Sequence, residues 1–196
     1  MLETLKSWDA WLFLKINHDW TNGFLDSVFP WWRDAVTWAP LYLFLLVFIL
    51  TNFGLKAWPW VVTLILTVVI TDQGSNIIKD IIARPRPCND VVFGQYVRLL
   101  LNRCPSSYSF TSNHAANHFG AAFVLYFTLK PYIKKWGYLF FVWAATVAYG
   151  QMYVGVHYPL DILGGTIFGA IAGSLMAYIF NKFIGLTGGS NQKAAL

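Results

Sequence analysis

Residues 36–53, VTWAPLYLFLLVFILTNF, contain no charged side chain and are long enough to cross a bilayer as a helix. The rest of the chain has a similar character. Of its 196 residues, 57% are apolar, 18% are aromatic and only 12% are charged, whereas roughly 25% of the residues in an average soluble domain are charged. This composition argues against a soluble globular protein and predicts an integral membrane protein.

Four further apolar segments have lengths suited to spanning helices, and Trp and Tyr crowd several of their ends as interfacial anchors do. The predicted spans are Val36–Phe53, Ala57–Lys79, Ala115–Leu129, Trp136–Val154 and Leu160–Phe183. We therefore expect an all-α fold, a polytopic membrane helical bundle with about five transmembrane helices.

The segments outside these spans set the predicted domain boundaries. Residues 1–35 alternate aromatic with polar or charged residues, which is typical of helices lying in the membrane interface, and we expect no cleavable signal peptide there. Residues 36–185 should form one transmembrane domain and residues 186–196 a flexible C-terminal tail. In the last span glycine recurs every fourth residue, which favours helix packing inside the bundle over a homodimer face.

The predicted spans divide the connections between two sides of the membrane. The N-terminus shares one side with residues 84–113 and 155–159. Residues 51–56, residues 130–135 and the tail lie on the other side, which carries lysines and no acidic residue. The positive-inside rule places this lysine-only side in the cytoplasm, although a strict count of Lys and Arg slightly favours the reverse.

The two cysteines support the same orientation. Cys88 and Cys104 both lie in the long connection on the first side, where an oxidising periplasm allows a disulfide between them. Two unrelated thiols are the alternative. We therefore expect an inner-membrane protein whose functional side faces the periplasm or the exterior.

A first polar cluster lies at the end of the second span. Asp72, Asn76 and Lys79 fall on one helix face, and ionisable groups at that depth are costly unless they line a polar cavity or serve a function. The alternating prolines that follow hold Arg84 and Arg86 on stiff, extended backbone. These cations suit a phosphate, while lipid head groups or membrane topology account for them equally well.

A second cluster is the stretch SFTSNHAANHFG at residues 109–120, where an apolar helix begins. Free N–H groups at a helix start attract anions, and Ser112 adds a hydroxyl donor. Simple capping by Ser109, Thr111 or Ser112 is the alternative. Capping does not account for His114.

A third cluster is YVGVHYPLD at residues 153–161. Pro159 suits a helix start, and Asp161 in the first turn can accept a hydrogen bond from His157. The other ring nitrogen of His157 is then free to act as a nucleophile. A His–Asp pair is often only a satisfied polar contact, but its position on the same side as the other clusters favours one common site.

Together these residues resemble the type-2 phosphatidic acid phosphatase family, membrane lipid phosphatases that share a core with vanadium haloperoxidases. The family has three sequence blocks: Lys-x6-Arg-Pro, Pro-Ser-Gly-His and Ser-Arg-x5-His-x3-Asp. The chain matches the first block in full from Lys79 to Pro87 and the second in part at residues 111–114. It keeps His157 and Asp161 of the third, and the resemblance covers residues 72–165.

The resemblance implies hydrolysis of a phosphomonoester or diphosphate without a metal or any other cofactor. It implies that the phosphate is held by Lys79, Arg86, Ser112 and the backbone amides of Asn113 and His114. His157 would attack phosphorus to give a phosphohistidine, Asp161 would orient it, and His114 would protonate the leaving oxygen.

The chain departs from the family pattern in the second and third blocks. Thr111 and Asn113 replace proline and glycine, and Gln151 replaces the arginine of the third block. Gln151 can donate hydrogen bonds to a phosphate but brings no charge, so turnover should fall unless Arg84, Arg98 or Arg103 reaches the site. Arg84, which lies closest to the matched first block, is our candidate for that substitution.

His118 lies one turn beyond His114 on the same helix face. We expect it to support the acid or to line the leaving-group channel. A metal is not expected, because this HxxxH lacks the glutamate of a zinc-protease helix and no third ligand is evident.

A phosphate held by cations beside aromatic-rich helices suits a substrate with a lipid tail. Among the substrates of the family we expect undecaprenyl diphosphate, with phosphatidylglycerol phosphate, phosphatidic acid and lipid A phosphates as alternatives. A catalytically weak protein that binds or transports lipid phosphates is the rival from another class, favoured by Gln151 and Asn113. We expect a lipid phosphate and membrane lipids as partners and no nucleic acid, while nothing in the sequence supports a homodimer.

Overall fold

The computed structural model describes residues 2–186, which form seven α-helices joined by loops and short helical turns. No β-strand occurs in this part of the chain. The helices are α1 Leu2–Leu14, α2 Gly23–Trp32, α3 Ala39–Phe53, α4 Trp58–Ile82, α5 Asn113–Ile133, α6 Leu139–Tyr153 and α7 Pro159–Phe183. The predicted all-α fold is confirmed. Residues 187–196 of the predicted tail lie outside the described residues.

Three helical stretches of the described chain are long and apolar enough to cross a membrane, namely Ala35–Phe53, Leu55–Asn89 and Pro159–Phe183. Large apolar side chains are exposed on all three, among them Phe44, Ile65, Val69, Ile167 and Leu175. Exposed apolar surface of this extent indicates contact with lipid. Helices α5 and α6 correspond to two more predicted spans, and the total of about five stays a prediction.

Two predicted spans begin a few residues before the α-helix does. Ala35–Trp38 forms a 3-10 turn ahead of α3, capped by the Asp34 side chain, which accepts a hydrogen bond from the Val36 N–H at 3.0 Å. Lys134–Tyr138 forms a second 3-10 turn ahead of α6, after Lys134 takes a left-handed conformation. Apolar composition does not distinguish such turns from the helix that follows.

Helix α5 lies at the centre of the bundle and packs against α4, α6 and α7. The glycines of α7 allow the closest of these approaches. A Cβ atom added at Gly169 would lie 2.3 Å from the carbonyl oxygen of Ala116, and one added at Gly173 would lie 2.3 Å from that of Gly120. The repeated glycines of α7 therefore pack against α5 inside the bundle, as the sequence favoured.

Three helix ends lie together on one side of the bundle. Helix α4 ends where Ala83 takes a left-handed conformation and the following prolines prevent its continuation. Helix α5 begins after Ser112, whose hydroxyl oxygen accepts a hydrogen bond from the Ala115 N–H. Helix α7 begins with a proline, and the Asp161 carboxylate accepts a hydrogen bond from the Tyr158 N–H at 2.8 Å.

The N-terminal segment covers this side together with the long connection between α4 and α5. The Asn17 side chain donates to the carbonyl oxygens of Arg98 and Tyr153, both at 2.9 Å. Arg98 in turn pairs with Asp26 of α2 at 2.8 Å. These segments therefore lie on the same side of the bundle, as predicted. The location of α1 and α2 in the membrane interface stays a prediction.

A disulfide between Cys88 and Cys104 braces the long connection. Beside it, the Asn89 side chain donates to the carbonyl oxygen of Pro105 at 2.9 Å. The bridge joins the arm that carries Arg86 to the arm that leads into α5.

Candidate active site

Three segments that are distant in sequence meet where α4 ends and α5 and α7 begin. The Lys79 ammonium donates to the carbonyl oxygen of Thr111. The Ser112 N–H donates to the carbonyl oxygen of Asp161 at 3.0 Å. Arg86 Nη1 lies 3.0 Å from Nε2 of His157. The three sequence blocks thus form one cluster on one side of the bundle.

His157 lies in the turn between α6 and α7 and is only 2% exposed. Its Nδ1 atom faces Asp161 Oδ2 at 3.5 Å and Ser109 Oγ at 3.4 Å, while Nε2 faces Arg86. A proton on Nδ1, directed at the carboxylate, leaves the lone pair on Nε2. Burial lowers the pKa of His157 to about 4 against the opposing effect of Asp161, so the ring is neutral at pH 7.

Asp161 is fully buried and is held from several directions. Besides the Tyr158 N–H, its carboxylate accepts hydrogen bonds from the Ser109 hydroxyl and from Arg84 Nη1, the latter at 2.8 Å. These donors fix the carboxylate against the ring of His157. Asp161 is therefore placed to set the orientation of that ring.

Arg84 is engaged by two carboxylates. Besides Asp161, it binds Asp9 of α1 through Nη2 at 2.5 Å, and its guanidinium lies 4.0 Å from the centre of the Tyr158 ring. This geometry contradicts the hypothesis that Arg84 replaces the arginine missing at Gln151. Two carboxylates already match its charge, so little of that charge is available to a phosphate.

Arg86 and Lys79 have no such partners. Both are nearly buried, at 6% and 3% exposed, and they donate to neutral groups. Arg86 donates to the carbonyl and the hydroxyl of Ser107 at 2.7 and 2.9 Å and to the Val156 carbonyl oxygen at 3.1 Å. Within residues 2–186 no carboxylate lies within 4.0 Å of either cation. Two buried cations beside His157, neither of them in direct contact with a carboxylate of residues 2–186, can bind an anion.

The start of α5 brings two histidine rings near this cluster. His114 is half-buried, and its ring makes no hydrogen bond to another group of the described chain. His118 lies parallel to it, with an interplanar angle of 5° and a centroid separation of 6.3 Å. The His118 ring bonds the His114 carbonyl oxygen at 2.8 Å and packs edge-on against Trp143. His114 is therefore free to exchange a proton with a ligand.

The side chain of Asn113 points away from His157 and into a polar network on α4. It donates to Asp72 Oδ1 at 2.8 Å and to Asn76 Oδ1 at 2.9 Å. The backbone N–H groups of Asn113 and His114 have no intrahelical acceptor, because they lie in the first turn. Asn113 can thus bind an anion through its backbone, while its side chain ties α5 to α4.

Gln151 is fully buried on α6, and both ends of its amide are engaged within the protein. Its Oε1 atom accepts a hydrogen bond from Arg33 Nε at 3.0 Å, and its Nε2 atom donates to the Val147 carbonyl oxygen at 3.4 Å. The structure therefore offers no support for a direct contact between Gln151 and a phosphate.

Two residues of the cluster, Asp9 and Ser109, belong to no motif that the sequence assigns to the site, yet they contact Arg84 and Asp161. Asp9 is 3% exposed within a segment that the sequence assigns to the membrane interface, so no local pattern identifies it. The sequence favours Ser109 only as a helix cap. Arg33, which lies outside the three sequence blocks, contacts Gln151 at the position of the missing family arginine.

Comparison with known proteins confirms the family resemblance drawn from the sequence. Residues 56–184 match the PAP2 superfamily. The chain is 34% identical over 188 residues to a lipid A 4'-phosphatase of Bacteroides thetaiotaomicron, covering 93% of this chain and 81% of that protein. It is 32% identical over 164 residues to an undecaprenyl-diphosphatase of Sulfolobus acidocaldarius, covering 81% and 72%.

The fold is similar to that of a solved membrane protein. The crystal structure of a transmembrane PAP2-type phosphatidylglycerolphosphate phosphatase from Bacillus subtilis aligns with a TM-score of 0.71 at 23% identity. The alignment covers 92% of this chain and 88% of that one. The bundle and the joined sequence blocks thus agree with the family match, and the chain belongs to the PAP2 superfamily as an integral membrane phosphatase.

Proposed function

We propose that the protein hydrolyses a lipid phosphate through a phosphohistidine formed on Nε2 of His157. The main observation behind this proposal is that the ring lies between Asp161, which faces Nδ1, and Arg86, which faces Nε2. The Nε2 lone pair attacks phosphorus, and the bond between phosphorus and the leaving oxygen breaks as the N–P bond forms. Asp161 stabilises the positive ring that results.

The surrounding groups supply the rest of the reaction. Lys79, Arg86 and the first-turn N–H groups of α5 hold the equatorial oxygens, where phosphoryl transfer needs positive charge. Burial and the neighbouring cations lower the pKa of His114, so its ring is neutral in the free site. It takes up a proton as the phosphate anion binds and gives that proton to the leaving oxygen. It then takes a proton from water, whose oxygen attacks phosphorus, breaks the N–P bond and releases inorganic phosphate.

For the substrate we favour a lipid A phosphate over the undecaprenyl diphosphate expected from the sequence. The resemblance to a lipid A 4'-phosphatase extends over 93% of the chain, and the resemblance to an undecaprenyl-diphosphatase over 81%. A cavity of about 490 Å³ beside the site suits a lipid tail, because it is lined mainly by apolar residues, among them Leu45, Trp60, Leu64 and Trp143, and reaches His118.

A phosphate-release assay tests this proposal. Purified protein in detergent, with a chelator present, is given lipid A, undecaprenyl diphosphate, phosphatidylglycerol phosphate or phosphatidic acid. We expect release from lipid A to be fastest. Fastest release from undecaprenyl diphosphate would favour the alternative substrate, and binding without release would favour a lipid-phosphate binding protein.

A variant of the nucleophile tests the phosphohistidine separately. His157→Ala should lose turnover and the acid-labile phosphoenzyme while it still binds the lipid. His18→Ala is the matched control, since the ring of that exposed histidine bonds the Tyr96 carbonyl oxygen outside the proposed site, and it should keep normal turnover. Undiminished turnover in His157→Ala would contradict the assignment.

We further propose that the protein lies in the inner membrane with this site facing the periplasm. The disulfide between Cys88 and Cys104 lies on the side of the site, which is consistent with an oxidising compartment. A membrane-impermeant thiol reagent should label these cysteines in intact cells only after reduction. If labelling requires cell lysis, the site faces the cytoplasm and the proposed orientation is wrong.

A further inference from the structure

The structure brings a guanidinium to Gln151 from outside the family motifs. Arg33 follows the last residue of α2, far from the three sequence blocks. Its Nε atom donates to Gln151 Oε1 at 3.0 Å, and its Cβ would lie 3.6 Å from a Cβ added at Gly150. The Arg33 side chain therefore passes over the turn of α6 where the family carries its third-block arginine.

Arg33 forms no ion pair within residues 2–186, and the carboxylate of the adjacent Asp34 acts on its charge only at longer range. In the described chain its guanidinium has no acidic partner within 4.0 Å, and its two terminal nitrogens donate to no protein group. The neighbouring Asp34 accepts from the Val36 N–H instead. Arg84 and Arg98 differ, since each forms an ion pair with aspartate.

Arg33 also lies close to the proposed phosphate site. The Val156 N–H donates to the Gln151 carbonyl oxygen at 3.1 Å, and the Val156 carbonyl oxygen accepts from Arg86 at 3.1 Å, so one residue separates Arg86 from the glutamine that binds Arg33. The two guanidinium charges are close enough to interact. Like charges at such range repel each other, and an anion held between them offsets the repulsion. A doubly charged phosphoryl group bound at Arg86 would be such an anion.

We propose that Arg33 contacts the phosphoryl group of the substrate through its terminal nitrogens, in place of the family's third-block arginine, while Gln151 positions its guanidinium. This inference rests on the proposed phosphohistidine function. It makes the N-terminal segment part of the site and moves one phosphate-binding cation from α6 to the end of α2. A neutral Gln151 fits this arrangement, because an arginine there would repel Arg33.

A charge relocation on the full-length protein tests the inference. Arg33→Gln should lower kcat/KM roughly 100- to 1000-fold, as the loss of one transition-state donor does. The double variant Arg33→Gln with Gln151→Arg restores the family arrangement. Its kcat/KM should be at least about tenfold higher than that of Arg33→Gln, a gain that one transition-state donor can supply. Arg33→Lys keeps the charge without the planar fork and should fall between the wild type and Arg33→Gln.

Stabilisation by orthovanadate, a mimic of the phosphoryl group, measures binding at the site directly. If the role of Arg33 were merely structural, this stabilisation would be unchanged in the variant. Orthovanadate should raise the thermal midpoint of the wild type and raise that of Arg33→Gln much less, although both have similar midpoints without it. Lys6→Gln removes an exposed cation of the same N-terminal segment and is the matched control, expected to behave as wild type.

The results separate this inference from the function on which it rests. If the wild type releases phosphate and Arg33→Gln does so within threefold of its rate, the role of Arg33 is refuted while the phosphatase stands. A folded double variant no more active than Arg33→Gln would also refute it. If Arg33→Gln does not fold, the phosphate-release rates and the orthovanadate shifts of Arg33→Lys and of the double variant test the role of Arg33 instead.

Discussion

Arg84 Nη1 donates to Asp161 Oδ1 over 2.8 Å, and this contact links the proposed nucleophile to the N-terminal helix. The other terminal nitrogen of Arg84 binds Asp9, whose second oxygen accepts the Leu160 N–H at 2.8 Å. A chain of polar contacts therefore runs from α1 through Arg84 to Asp161, and the Ser109 hydroxyl between Asp161 and His157 Nδ1 extends it to the ring. The orientation of His157 depends in part on residues that the family motifs do not include.

Arg84→Gln should cost stability as well as turnover. The substitution leaves Asp9 and Asp161, which are 1% and 0% exposed, without their cation. Removing one partner of a buried ion pair costs about 3 kcal/mol or more. Thermal unfolding in detergent should show a lower midpoint, and phosphate release should slow through kcat. An unchanged midpoint would mean that the pairs contribute little.

Asp9→Ala should weaken the attachment of α1 and slow turnover more than Asp9→Asn does. Asparagine keeps an oxygen for the Leu160 N–H, whereas alanine loses both that contact and the contact with Arg84. Loss of a buried hydrogen bond to a charged group costs roughly 1–3 kcal/mol. Asp19→Asn, at an exposed ion pair of the same segment, is the control for kcat and for the thermal midpoint. Equal effects of Asp9→Ala and Asp9→Asn would contradict the role of the Leu160 contact.

The stability of the protein should decrease as pH falls from about 6.5 towards 4, and His157 should account for part of the decrease. Burial lowers the pKa of His157 to about 4 in the folded protein, whereas an unfolded histidine has a pKa of about 6.5. Between these values the unfolded chain binds more protons, so acid favours unfolding. Thermal midpoints measured across this range should depend on pH less steeply in His157→Gln than in the wild type. An identical dependence would show that His157 is not kept neutral by burial.

Gly169→Ala should destabilise the bundle by about 1–3 kcal/mol through overpacking. The added Cβ would lie 2.3 Å from the Ala116 carbonyl oxygen and 2.9 Å from the Gly120 nitrogen, so α5 and α7 must separate. Gly23→Ala is the control, because a Cβ there meets nothing within 4 Å. Comparing the thermal midpoints of the two variants tests the helix contact, and a Gly169→Ala variant as stable as the control would contradict it.

Much of the candidate site was predictable because its signals are local. Lys79 and Arg86 are separated by a fixed spacing across a proline-rich helix end, and His157 and Asp161 lie four residues apart at a helix start. Asp9 and Arg33 carry no such pattern. Asp9 lies 152 residues before Asp161, to which Arg84 links it, and Arg33 lies 118 residues before Gln151, which it bonds directly. Only the packing of the chain brings these residues together.

The sequence by itself determined the membrane character of the chain, its helical class and the three blocks of polar residues, since apolar runs, prolines and helix caps act over a few residues. Only the tertiary structure decided how charge is distributed among those blocks. It paired Arg84 with two buried carboxylates, placed no carboxylate of residues 2–186 within 4.0 Å of Arg86 or Lys79, and brought Arg33 to Gln151. The physical reason is that the interaction of a cation depends on its distance to every other charge, and the packing of distant helices sets those distances.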